Sequence, residues 1–328
     1  MKRNRTRIIV LSITLLFTAL ASSAQPTGLR VAIYSDMGAD STTILAMFRA
    51  VASIGDSPMA ITTADIQNGR LTKANFDVLI LPPGEDGTKC CLGHYSDNAA
   101  LDAIPTKAAM RAYLNSGGGI VAEEAAAYYA SQNGGTFDVY SGKYTNVTTK
   151  IGKATFQIVN SAFGSGTQQV WQSYGGGYFT APSGVTVIAT DLSNNPTIVS
   201  QSFGAGRLIM TSYVLELRGD TDLDWTIWDN WAMGGVHINS VGVWQMLGRM
   251  IGWAYKGDSS LPAVNPTPLP PGVPVAVIAQ HTNLPVYGVG VRRNCTRLAA
   301  RAQILSGVKA ERTSCTHGTR RNPPVLHT

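Results

Sequence analysis

The stretch RVAIYS at residues 30–35 opens a region in which short apolar segments alternate with amphipathic ones. Each apolar segment has the length of a buried strand and ends at Gly, Pro or a polar residue. Further strands of this kind are predicted at PMAIT (58–62), DVLILPPG (77–84) and GGGIVAEE (117–124). Between them, a helix is predicted within residues 36–55 from apolar residues at helical spacing between Ile44 and Ala52, and another over 106–116. A short helical turn is predicted at 64–71 and a further helix from residue 125.

This alternation of strand and helix predicts an α/β fold, with a flavodoxin-like, doubly wound and mostly parallel sheet. From residue 154 onward the pattern changes to short strands separated by Gly, Pro or Asn, which predicts added antiparallel strands. An amphipathic helix is predicted over 239–256. In doubly wound sheets ligands bind at the carboxyl ends of the strands, so the loops after Ser35, Pro82 and Ala122 are where a site is expected.

The N-terminal segment has the pattern of an export signal. Basic residues in MKRNRTR precede the apolar run IIVLSITLLFTAL and then the small residues of ASSAQP. The run is shorter than the roughly 20 residues of a membrane span. We therefore expect residues 1–24 to be a signal peptide cleaved after Ala24, leaving an exported protein, periplasmic or extracellular, with no transmembrane segment.

The formal charge of +6 is unevenly distributed along the chain. The first seven residues carry +4 and residues 292–321 carry +7, which leaves −5 for residues 25–291. A mildly acidic middle argues against a nucleic-acid-binding domain.

The sequence predicts one folded domain over residues 25–257, followed by a proline-rich linker over 258–285. Residues 286–328 are rich in Arg and poor in bulky apolar residues, and two interpretations remain open. They are a basic tail that contacts an anionic surface, or a C-terminus altered by a shift of reading frame.

Several segments in order, within residues 30–130 and 170–216, carry a family resemblance. They are VAIYSDMGADSTTILAMFRAV, TTADIQNGRLTKANFDVLILPPG, YLNSGGGIVAEEAAAYYAS, YGGGYF and SQSFGAGRLIMTS. Together they resemble the class I glutamine amidotransferase-like superfamily, and within it the type found as the N-terminal domain of biotin–protein ligase.

The resemblance implies a Cys–His–Glu triad, with the Cys on a strained strand-to-helix turn. In this sequence Glu124 stands at the Cys position and Val214 at the His position, so that only Glu216 matches. Amide hydrolysis by this route needs a nucleophile and a base, and these replacements supply neither. We therefore expect a domain without glutaminase activity that serves as a ligand-binding or interaction module, its partner being an unidentified small molecule or protein.

Two alternatives concern a hydrolase of altered chemistry in the same cleft. It could use Glu124, or Cys90 and Cys91, which lie in the loop after the third strand close to His94. The competing interpretation of these cysteines is that they are loop thiols, or form a disulfide with Cys295 or Cys315.

Other candidates remain from the carboxylates and aromatic residues. The residues expected to line a ligand site are Asp36, Glu85, Asp86, Glu123 and Tyr128. Asp220, Asp222 and Asp224 alternate beside tryptophans, which is a weak pattern for calcium and a basis for a third alternative, a carbohydrate-binding protein. No phosphate-binding or zinc motif is present, so the sequence predicts no cofactor.

Overall fold

A computed structural model describes residues 28–84, 101–132, 137–147, 152–172, 176–217 and 241–257. The strands are β1 Arg30–Tyr34, β2 Ser57–Ile61, β3 Val78–Leu81, β4 Gly119–Glu123, β5 Tyr144–Asn146, β6 Gly152–Ile158, β7 Gly166–Gln172, β8 Gly177–Phe179, β9 Val185–Asp191, β10 Pro196–Phe203 and β11 Gly206–Thr211. The helices are α1 Ser41–Ser53, α2 Thr63–Gln67, α3 Ile104–Asn115, α4 Ala125–Ala130 and α5 Val241–Lys256, with a 3₁₀ turn at Ser161–Phe163.

Nine of these strands form one mixed sheet in the order β2-β1-β3-β4-β11-β10-β9-β6-β7. The half from β2 to β11 is parallel, and the half from β11 to β7 is antiparallel. All four residues of β3 are buried, as are the last four of β1. Strands covered on both faces are continuously apolar, which is why these two could be recognised in the sequence.

The helices lie on both faces of the parallel half. The β1–α1–β2 and β2–α2–β3 units step across the sheet in opposite directions, so right-handed crossovers place α1 and α2 on opposite faces. Gln67 of α2 donates a hydrogen bond to Thr106 of α3 (2.9 Å), and Gly248 of α5 packs close to Ile54 beside α1. The predicted fold class, a doubly wound α/β sheet with added antiparallel strands, is confirmed.

Gly119, the first residue of β4, allows α5 to approach the sheet closely. A Cβ built at Gly119 would lie 2.5 Å from the carbonyl oxygen of Ala254 and 2.9 Å from its Cβ. No side chain fits there without moving α5, so Gly119 sets how closely this helix packs on β4.

The predicted helices are present, and local contacts set where they begin. The first helix begins at Ser41, because residues 36–40 form a turn in which the amide of Asp40 donates to the carbonyl of Pro83 (2.9 Å). The carboxylate of Asp40 accepts a hydrogen bond from the amide of Thr43 (2.9 Å) and so caps the helix. The helix α3 begins at Ile104, two residues before its predicted start, with a proline near its first position.

The paired strands β5 and β8 form a second, two-stranded sheet that the sequence patterns did not predict. The start of the last helix at residue 239, the linker and the tail lie outside the described residues. Across the described ranges, no helix combines the length and apolarity needed to cross a bilayer.

Candidate functional site

The turn between β4 and α4 carries the most unusual backbone geometry of the predicted site. Glu124 has φ 50° and ψ −108°, a conformation that residues other than glycine rarely adopt. Such a conformation costs on the order of 1–3 kcal/mol and persists only where the surroundings impose it. Here the amide of Glu124 donates to the carbonyl of Thr211 (2.9 Å), which ties the turn to the end of β11.

The carboxylate of Glu124 is turned back onto the protein. Its Oε2 atom accepts hydrogen bonds from the amide of Ala125 (2.7 Å) and from the amide of Gly84 (3.2 Å). The residue is 2% exposed. One oxygen thus occupies the point at which two backbone N–H groups converge, the first in α4 and the second in the loop after β3.

The segment after β11 supplies the other two positions that the family resemblance singled out. Val214 is fully buried, and its amide donates to the carbonyl of Trp171 in β7 (3.1 Å). Its aliphatic side chain can neither accept nor donate a proton. Glu216 is also fully buried, and its backbone carbonyl accepts a hydrogen bond from the indole Nε1 of Trp244 (2.8 Å).

Glu123, the last residue of β4, is fully buried, so its carboxyl does not face solvent. Its Oε2 atom accepts a hydrogen bond from the amide of Leu215 (3.1 Å). Burial raises the pKa of the Glu123 carboxyl above its usual value, and the negative charge of Glu124 adds to the rise, while the hydrogen bond from Leu215 opposes it. The carboxyls of Glu123 and Glu124 have different partners, because Glu123 ends the strand while Glu124 lies in the turn that follows it.

Asp36 and Tyr128, which were predicted to line a ligand site, both have contacts within the protein. Asp36 is half-buried and accepts hydrogen bonds from the amides of Met37 (2.8 Å) and Thr63 (3.1 Å), which fixes the loop after β1 onto the start of α2. The ring of Tyr128 is half-buried and packs edge-on against Tyr144, with 6.1 Å between ring centroids.

Other predicted site residues fall outside the described ranges. They are Cys90, Cys91, Glu85, Asp86, Asp220, Asp222 and Asp224. The cysteine, calcium and carbohydrate alternatives stay predictions. Within the described ranges, no three His, Cys, Asp or Glu side chains are grouped so that they could hold a metal ion.

An aromatic group beside Glu124 was missed by the sequence patterns. Tyr144 is fully buried in β5 and contacts Phe179 of β8 edge-on, with 4.8 Å between centroids. Burial raises the pKa of the Tyr144 hydroxyl well above its usual value, and the negative charge of Glu124 adds to this effect. The only sign of this group in the sequence was the pair Tyr178 and Phe179 at the end of YGGGYF. The strands β5 and β8 span only three residues each, which is too short for the alternation of apolar and polar residues to be recognised.

A cavity of about 220 Å³ lies elsewhere, between the antiparallel edge of the sheet and α5. It is lined by Ile158, Phe163, Gly164, Ser165, Gln168, Gly242, Gln245, Met246 and Arg249. None of the predicted site residues belongs to this lining.

No protein-family model matches this chain, and no match to a curated protein was found. Its structure is similar to a glutamine amidotransferase of Thermotoga maritima at 14% identity and a TM-score of 0.46, covering 68% of this chain and 98% of the other. It is similar to a putative GMP synthase component of Thermoplasma acidophilum at 15% identity and a TM-score of 0.44, covering 68% and 93%. A β-galactosidase of Bacillus circulans matches at 10% identity and a TM-score of 0.39, covering 60% and 29%. These identities and TM-scores are low, so the assignment of the fold class rests on the order and register of the strands in the sheet.

Proposed function

We propose that this chain is an exported domain of the class I glutamine amidotransferase-like kind that has no glutaminase activity. In this proposal it acts as a ligand-binding or interaction module. The ordered sequence segments and the doubly wound sheet support the class, and the signal-like residues 1–24 support export.

The observation that carries the proposal is the position of the Glu124 carboxylate. Acyl transfer to a nucleophile depends on N–H donors that are available for the negative charge of the tetrahedral intermediate. The amides of Ala125 and Gly84 are arranged to bind one such oxygen, and the carboxylate of Glu124 already fills that place. A substrate carbonyl would have to displace a charged, hydrogen-bonded and buried group.

The two positions that should supply nucleophile and base support the same conclusion. Glu124 is a much weaker nucleophile than a thiolate, and its charge is already engaged by two amides. Val214 is buried, aliphatic and unable to take up a proton. The positive φ of Glu124 fits the strained turn that the family resemblance implies for a nucleophile, and in our proposal the residues at the nucleophile and base positions do not perform that chemistry.

The proposal is tested by thermal-shift measurements on the full chain with amino acids, neutral sugars and divalent cations as probes. The wild type is compared with Glu124→Gln and with the matched control Asp56→Asn, a substitution of a mostly buried carboxylate beside Leu29, before β1. We expect a probe that raises the Tm of the wild type and the control, loses this effect in Glu124→Gln, and is not consumed. Consumption of the probe that is abolished by Glu124→Gln would instead assign an enzyme to this site.

A further inference from the structure

The cavity of about 220 Å³ between α5 and the antiparallel edge of the sheet is not used by the proposed function, and Glu124 is not among its lining residues. One wall is a side of α5. The lining residues of this helix are spaced as residues on one side of a helix are, and they are Gly242, Gln245, Met246 and Arg249. The other wall is formed by the end of β6, the start of β7 and the turn between them.

The turn between β6 and β7 is held in place by its own hydrogen bonds. The side chain of Asn160 accepts the amide of Ala162 (3.0 Å), and its backbone carbonyl accepts the amide of Phe163 (2.9 Å). The ring of Phe163 is buried and contacts the indole of Trp253 in α5, with 5.3 Å between ring centroids. The cavity is therefore bounded by a side chain that both the turn and the helix hold in position.

The polar side of the cavity carries one guanidinium and two carboxamides. Nη1 of the half-buried Arg249 lies 3.5 Å from the carbonyl oxygen of Ala162, which places the guanidinium beside the turn. Gln245 lies one helical turn before Arg249 on the same side of α5. A Cβ built at Gly242 would overlap Oε1 of Gln168, so the carboxamide of Gln168 lies directly against the backbone of α5.

The charge around the cavity favours an anion. Among the described residues that line it, Arg249 is the only charged one, and none is an Asp or a Glu. The two stretches of chain that form the walls, 152–172 and 241–257, contain no acidic residue, although residues 25–291 carry −5 as a whole. A carboxylate ligand would gain a charged hydrogen-bond donor here, whereas a cationic ligand would find no acidic side chain in this lining.

The inner surface of the cavity is apolar and small. Phe163 and Met246 are 1% and 2% exposed, and the half-buried Ile158 lies with them in the lining. A short hydrocarbon chain placed against these side chains would be removed from water, which is favourable. The volume of about 220 Å³ is below the roughly 300–1,000 Å³ of pockets that hold drug-sized molecules, so the ligand must be small.

We propose that this cavity binds a small monocarboxylate with a short apolar chain. The guanidinium of Arg249 donates two hydrogen bonds to the carboxylate, an arrangement that its planar shape favours. The NH₂ groups of Gln168 and Gln245 orient the carboxylate as further donors, and the chain packs on Phe163 and Met246. Because this site does not involve Glu124, its failure and the failure of the proposed function are distinguishable.

The test is isothermal titration calorimetry of the full chain with butanoate at constant ionic strength. We expect the wild type to bind butanoate with a Kd on the order of 1 mM. The uncharged 1-butanol, with a chain of the same length, should bind at least about tenfold more weakly. Arg249→Gln removes the charge but keeps a polar side chain, so it should raise the Kd for butanoate by about tenfold or more.

Two control variants show whether the effect belongs to this cavity. Lys256→Gln removes an exposed cation of the same helix that does not line the cavity, and it should bind butanoate as the wild type does. Glu124→Gln should also bind butanoate unchanged, which separates this site from the proposed function. A Kd raised as much in Lys256→Gln as in Arg249→Gln would show diffuse charge attraction and overturn the proposal.

Three further results would also overturn it. They are no binding of butanoate by the wild type, equal affinities for butanoate and 1-butanol, and an Arg249→Gln variant that binds as tightly as the wild type. If the circular dichroism of Arg249→Gln shows that it does not fold, Gln245→Leu takes its place. We expect that variant to raise the Kd by about threefold or more through loss of one donor, and an unchanged Kd would overturn the proposal.

Discussion

The backbone N–H of Gly84 donates a hydrogen bond to Oε2 of Glu124 across 3.2 Å, and so joins the loop after β3 to the turn after β4. The same oxygen accepts the amide of Ala125 at 2.7 Å. A glutamate at this turn therefore fills the place where two backbone donors converge. These hydrogen bonds also hold Glu124 at a positive φ, a conformation that is unfavourable for residues other than glycine.

The first prediction concerns this carboxylate. Glu124→Ala leaves two buried N–H groups without their acceptor, whereas Glu124→Gln keeps an acceptor oxygen, and both variants carry the same backbone strain. We expect the alanine variant to unfold with a free energy about 2 kcal/mol lower than that of the glutamine variant, measured by urea denaturation. Equal stabilities would show that the two amide contacts contribute nothing.

A second prediction tests the close contact between β4 and α5. Gly119→Ala places a methyl group 2.5 Å from the Ala254 carbonyl oxygen, so we expect a loss of about 2–3 kcal/mol in the free energy of unfolding. Gly152→Ala is the matched control, because it also begins a strand and has nothing within 4 Å of its Cβ position. A Gly119→Ala variant as stable as the control would mean that α5 does not approach β4 this closely.

A third prediction concerns Asp56, whose side chain accepts the amide of Leu29 (2.8 Å). Burial raises the pKa of Asp56 to about 6 from an ordinary value near 3.8, and the charge of Asp77 adds to the rise while the Leu29 hydrogen bond opposes it. Between these values the folded state binds more protons than the unfolded state, so stability falls as pH rises from about 4 to about 6. A difference of one pKa unit corresponds to about 1.36 kcal/mol, so the free energy of unfolding falls by at most about 3 kcal/mol over this range.

Asp56→Asn should remove this part of the pH dependence while keeping an acceptor for Leu29. The measurement is the free energy of unfolding in urea at a series of pH values for both proteins. Parallel curves for the wild type and the variant between about pH 4 and about pH 6 would contradict the assignment.

A fourth prediction concerns the indole of Trp244. Trp244→Phe removes the donor to the Glu216 carbonyl but keeps an aromatic ring in the core. We expect a loss of about 1–3 kcal/mol in unfolding free energy, together with faster amide exchange in residues 213–217. Trp253→Phe, which removes an indole bond to the hydroxyl of Ser200 elsewhere on α5, is the control and should leave that exchange unchanged.

The parallel half of the fold was predictable because its strands are short, continuous apolar runs. VLIL of β3 and the buried part of β1 show this pattern. The glycines at 117–119 mark where the preceding helix has ended and β4 begins. The small sheet of β5 and β8 was not predictable, because three-residue strands carry no period. A loop after Ser35 was predicted, but its bridge between Ala39 and Gly84 was not, because this bridge joins residues far apart in the chain.

The candidate site was predictable in position but not in arrangement. The expected edge of the sheet does hold Glu123, Glu124 and Glu216. Spacing did not reveal that the buried carboxyl of Glu123 accepts the amide of Leu215, since that hydrogen bond joins residues 92 positions apart. Nor did it reveal that Glu124 folds back onto the amides of Gly84 and Ala125, because that contact depends on the turn conformation.

Release of ammonia from glutamine tests the central claim most directly, with the full-length wild type compared with Glu124→Gln. Because the carboxylate of Glu124 occupies the two amide donors and Val214 supplies no base, we predict that neither protein releases ammonia above the protein-free control. Ammonia release by the wild type that is lost in Glu124→Gln would contradict the account and make this residue part of a working catalyst.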